Sequence, residues 1–96
     1  MIETSKRRAY LKSLAMTMDP IFQIGKDDVG SALIRAVDEA LEKRELIKLS
    51  ILQTAAVTAK EAAQQIAAET NAEIVQCIGR RFVLYRESEK HRHIEI

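Results

Sequence analysis

The feature that most limits how this chain can fold is the repeated switch of its apolar period between 3.6 and 2, with almost no linker at each switch. Leu11, Leu14, Ala15 and Met18 share one helical face, which predicts a helix from about Thr4 to Thr17. Asp19-Pro20 ends it, because the residue before a proline is driven out of the α region. Residues 21–24 then read as a short strand. A second helix is predicted over about 29–43, with Val29, Leu33, Ala36, Val37 and Ala40 inward. Asp27 and Asp28 stand at its positive end, either one suited to the N-cap, and Lys43 and Arg44 stand at its negative end. ELIKLSIL, residues 45–52, follows at once as a strand with Ile47, Leu49 and Ile51 inward and Lys48 and Ser50 on a wetter face.

Thr58 and Glu61 form a capping-box pattern, in which each side chain satisfies a free backbone N–H of the other. It opens a third helix that runs to about Thr70 and buries Ala59, Ala62, Ala63, Ile66 and Ala67, with Asn71 as a left-handed stop. So many alanines imply close approach to a sheet. Residues 73–79 and 81–86 read as two strands joined tightly at Gly79-Arg80. The order is therefore α-β-α-β-α-β-β. Short links between helices and strands imply crossover units, hence an α/β fold with a small mixed four-stranded sheet and three helices packed on it.

Ninety-six residues support one domain, with a core expected over about 4–87 and a charged tail over 88–96. Aromatic residues are only 4% of the chain, so aliphatic side chains must build that core. No apolar run reaches the roughly 20 residues needed to span a bilayer, and the basic N-terminal stretch lacks a secretory apolar segment. A single cysteine fits a reducing compartment, so a cytoplasmic location is expected. Net charge is +1, but it is unevenly spread: +3 over residues 1–26, −4 over 27–78 and +2 over 79–96. The surface should therefore be polarised.

Catalysis finds little support in these residues. His91 and His93 lie in the charged tail with no Cys or acidic partner to complete a metal set, and Cys77 alternates within an apolar strand as a buried thiol would. No hydrolase, zinc-protease, P-loop or paired-cysteine motif occurs. The expectation is a non-enzyme without metal, cofactor or small-molecule substrate. Three basic groups stand out instead: Lys6, Arg7, Arg8 and Lys12 on the first helix, Lys26 beside Gly25 in the first turn, and Arg80, Arg81 and Arg86 around the last hairpin. On one surface they would make a phosphate-binding footprint. Phe82 and Tyr85 alternate on a strand that is apolar on both faces, so Phe82 is assigned to the core, and Tyr85 fits either the core or a wet edge.

The turn IFQIGKDDVG, residues 21–30, leads into a helix N-terminus, where free N–H groups favour an anion. Its two aspartates favour a capped helix start over a phosphate site. SLAMTMDPIFQIGK, ALEKRELIKLSIL and IVQCIGRRFVLYRES, in this order and spacing, resemble the bacterial YhbY-type proteins, single CRM (chloroplast RNA splicing and ribosome maturation) domains. The resemblance runs from about Ser5 to Glu95. It implies a fold related to the C-terminal domain of bacterial translation initiation factor three, with KH-like RNA binding. It further implies association with rRNA in precursors of the large ribosomal subunit, and no catalysis. The family's turn usually ends as a GxxG loop. Gly25 and Lys26 match its first two positions, whereas Asp28 stands where the second glycine belongs. The expected RNA contacts are therefore Lys6, Arg7, Arg8, Lys12, Gly25, Lys26, Arg80, Arg81 and Arg86, on a monomer. The competing reading is a protein-interaction adaptor that docks on a translation-related complex through the acidic middle segment.

Overall fold

In the computed structural model, which describes residues 5–25, 29–53, 55, 57–90 and 94, three helices pack on one four-stranded sheet. The elements are α1 (Ser5–Ala15), β1 (Phe22–Ile24), α2 (Ser31–Arg44), β2 (Leu46–Ile51), α3 (Ala59–Thr70), β3 (Glu73–Ile78) and β4 (Arg81–Tyr85). This is the expected order, and the sheet is mixed. β1 and β2 run parallel, while β4 lies antiparallel between β2 and β3, giving the spatial order β1-β2-β4-β3. The composition of β4 suits this central place. Phe82 and Leu84 are buried on one face and Val83 and Tyr85 on the other, so beyond the exposed Arg81 the strand is buried on both faces. Tyr85 therefore belongs to the core.

The edges are kept short or irregular. β1 has three residues, and β3 carries a register shift between Ile74 and Gln76. Both features discourage pairing with another chain. The hairpin turns at Gly79-Arg80, where Gly79 has φ +60, a conformation that costs a glycine little.

Two cores sandwich the sheet. α2 and α3 cover one face, where Val37, Leu41, Ala62, Ala63 and Ile66 meet Ile24, Ile47, Leu49, Phe82 and Leu84. The alanines of α3 permit the close approach that their number predicted. α1 crosses the opposite face, where Leu11 and Ala15 pack with Leu46, Val75, Val83, Tyr85 and Ile94. α3 starts with the predicted capping box: the Glu61 N–H donates to Thr58 Oγ1 at 3.1 Å, and the Thr58 N–H donates to Glu61 Oε1 at 2.9 Å. It stops at Asn71, whose φ of 58 is left-handed.

α2 begins later than the sequence predicted. Its N-cap is Gly30, with no side-chain cap and no acidic residue in the first turn, so neither Asp27 nor Asp28 fills the cap position. These two residues, with Lys26, lie outside the described residues, as do His91 and His93. Its other end is unusual. Glu45 takes a positive φ of 66 as the C-cap and is fully buried. Its carboxylate accepts the backbone N–H of Ser88 at 2.8 Å and of Ile94 at 2.9 Å, tying the chain beyond β4 to the end of α2. Ser88 and Ile94 are buried, so part of the stretch expected to be a charged tail belongs to the folded body.

Candidate nucleic-acid interface

α1 leaves half of its sheet face open. Cross-strand partners share a face, and the registers Ile78↔Arg81, Arg81↔Ser50 and Ser50↔Gln23 put four side chains in one row across β3, β4, β2 and β1. Three strand spacings make this row about 14 Å wide. Arg81 and Gln23 are exposed, Ser50 is half-buried, and Ile78 is 65% exposed. One step further from the hairpin, Lys48 and Gln76 flank the buried Val83 on the same face. Sequence reasoning placed Lys48 and Ser50 on the wetter side of β2 but did not make them site residues. The period-2 pattern of β2 was the signal that could have found them.

The orientation of α1 follows from its neighbours. Leu14 and Met18 border a groove with Leu46, Lys43 and Arg44, at the end of the sheet away from the hairpin. At 100° per residue, Arg8 and Lys12 fall on the opposite flank of the Leu11–Ala15 stripe, one turn apart and facing the open half. Arg8 reaches over β3, with Nη1 3.5 Å from the Val75 carbonyl. Lys6 and Arg7 fall on the other flank with Tyr10. α1 carries four cations and no carboxylate, and three of the cations crowd its first turn, where the helix dipole disfavours positive charge. An anion at this end would relieve that cost.

The hairpin and the first turn meet at one end of the sheet. The Ile51 N–H donates to the Arg80 carbonyl at 2.8 Å, and the Leu52 N–H donates to the Ile24 carbonyl at 2.8 Å, so Gly25 and Arg80 border the same edge. A Cβ on Gly25 would make only an ordinary contact of 3.6 Å with Leu52, and one on Gly30 would meet open space. Neither position needs glycine for the backbone itself. Arg8, Lys12, Lys48, Arg80 and Arg81 thus ring one open surface, and none of them forms a salt bridge with a described carboxylate. The one acidic residue of β3, Glu73, pairs with Tyr85 at the far end.

Arg86 is a correction. It lies beyond the far end of β4, where Nη1 donates to the Asp38 carboxylate and to the Thr70 carbonyl, and Nη2 donates to the Asp38 carbonyl at 2.9 Å. It ties α2 to the end of α3 and does not join the other cations. Phe82 and Tyr85 offer no stacking surface, being 0% and 3% exposed. Cys77 is a second correction: it is exposed. Its register partner Phe82 puts it on the helix-covered face, but at an edge strand, where it borders a groove with Thr58, Lys60 and Ala63. Among the described residues, no group of three or more His, Cys, Asp or Glu is placed to hold a metal ion, and no helix is long and apolar enough to cross a membrane.

A small α/β domain whose basic face forms no salt bridge among the described residues is the class these features define. The chain belongs to the CRS1/YhbY (CRM) domain family, whose pattern matches residues 4–86. It is 40% identical over 93 residues to the "Probable RNA-binding protein YqeI" of Bacillus subtilis, covering 97% of each chain. It is also 32% identical over 87 residues to an "RNA-binding protein" of Haemophilus influenzae, covering 91% of this chain and 88% of the relative. Among solved structures, the solution structure of the hypothetical protein SAV1595 from Staphylococcus aureus superposes with a TM-score of 0.80 at 44% identity, over 99% of both chains.

Proposed function

We propose that this protein is an RNA-binding accessory factor that acts in the cytoplasm, as a monomer, on rRNA in precursors of the large ribosomal subunit. The observation that carries the reading is the gathering of Arg8, Lys12, Lys48, Arg80 and Arg81 around the open half of the sheet. Cations with no salt bridge to a described carboxylate keep their charge available for phosphates, and phosphate contacts supply a large share of the affinity in protein–nucleic acid complexes. Gly25 would add a contact at the hairpin end, and Lys26 is retained as an RNA contact from the sequence. Lys6 and Arg7, on the other flank of α1, would act only on RNA that wraps around the helix. Membership of the CRM family and relatives named as RNA-binding proteins support RNA as the ligand.

Sedimentation of a gently lysed extract on sucrose gradients tests the ribosomal part. Migration with particles near the large subunit, lost at high salt and after nuclease treatment, is the expected result. Protein that stays at the top of the gradient at low salt would refute it. Co-migration that survives nuclease and salt would favour docking on a protein instead.

A further inference from the structure

The geometry points to a double helix as the form of RNA that this face takes, with the Gln23–Ser50–Arg81–Ile78 row lying along its minor groove. The inference rests on the RNA-binding reading above and specifies its ligand. Recognition of unpaired bases requires flat side chains on which splayed bases stack. The chain has two Phe, two Tyr and no Trp, and all four of these rings lie among the described residues. Phe82 and Tyr85 are buried, and Phe22 is half-buried against the helix-covered core. Tyr10 is 45% exposed, but on the flank of α1 turned away from the open half. Among the described residues, no Phe or Tyr ring reaches the basic face.

What the face does present suits a paired helix. The minor groove of an RNA duplex is wide and shallow and displays 2′-hydroxyl groups, which both donate and accept hydrogen bonds. The amide of Gln23 and the hydroxyl of Ser50 can likewise do both. They stand side by side in the row, with the Arg81 guanidinium as a further donor and Ile78 offering an aliphatic surface to the sugars. Because β1 to β3 form one sheet, the row is a shallow platform and not a cleft, as a shallow groove demands. Arg8, Lys12 and Lys48 lie to one side of the row and Arg80 to the other, placed for the phosphates bordering such a groove. Discrimination of RNA from DNA would then come from Gln23 and Ser50, and affinity from the cations.

Fluorescence anisotropy with three probes tests this: an RNA hairpin with a fully paired stem, the DNA hairpin of the same sequence, and the RNA strand with its complement omitted. The intact protein should bind the RNA stem at least about tenfold more tightly than either other probe, the size expected for one or two hydrogen bonds to sugars. Gln23→Ala/Ser50→Ala should remove most of that preference over the DNA stem by weakening binding of the RNA stem. Equal or tighter binding of the unpaired strand, equal binding of the RNA and DNA stems, or a double variant that keeps the full preference would overturn the inference and leave RNA binding standing. Failure to bind any of the RNA probes would overturn the proposed function with it.

Discussion

Thr58 and Asn71 mark the start and stop of α3, and both were legible because a cap depends only on residues three or four positions away. Thr58→Ala should cost about 1 kcal/mol of stability, measured by urea unfolding. Glu61 is held below its ordinary pKa of 4.5, first by the backbone N–H of Thr58 and then by the Thr58 side chain. A folded pKa below the unfolded one gives stability that is present above pH 4.5 and lost as the pH falls through the lowered value. The stability cost of Glu61→Gln should therefore shrink on acidification below that pH, and an undiminished cost in acid would contradict the charged arm of the cap. Cys77 was misread because alternation shows which face a residue takes, not how far the covering helix extends. It should react fully with a thiol reagent in the folded protein without denaturant, whereas protection until unfolding would restore the buried reading. Arg86 was misassigned for a similar reason: its partners Asp38 and Thr70 lie 48 and 16 residues away in sequence. No local pattern announces such a pairing.

The elements themselves were readable because each carries its own period, while their placement was not. Nothing in EIVQCIG and RFVLYR fixed which strand of the hairpin would be central, although the apolar run on both faces of β4 was the available hint. α1 shows how an element positions the site. Its narrow stripe, Leu11 and Ala15, holds the helix over one half of the sheet and leaves the other half bare. Leu11 is 0% exposed, so Leu11→Ala should destabilise the protein by about 2–5 kcal/mol. Calorimetry or denaturant unfolding would show it, and a loss below 1 kcal/mol would mean that α1 is not packed as described. Asp27 and Asp28 were assigned to the start of α2 because aspartate is a favoured cap. The helix starts at Ser31, with Gly30 as its cap. Propensity identified the neighbourhood and missed the register.

At the scale of the molecule, charge is sorted by face. Arg8 and Lys12 of α1, Lys48 and Arg81 of the open sheet and Arg80 of the hairpin share one side, while Asp38, Glu42 and Glu45 hold Arg86 and the chain beyond β4 through hydrogen bonds at the other end. The net charge of +1 hides this separation, and the segment totals along the sequence hinted at it without locating it. Convergence of the basic groups required the register of three strand pairs and the orientation of one helix, which no single segment carries. The central claim, that the open basic face holds RNA, is tested most directly by the affinity of the wild type and of Lys48→Ala/Arg81→Ala for a paired RNA stem across a range of salt concentrations. Five contacting cations should give a slope of log K against log salt of about −4.5, and removing two should bring it about two units closer to zero with weaker binding at every salt. A double variant that is equally stable and matches the wild type in both affinity and slope would show that RNA is held elsewhere.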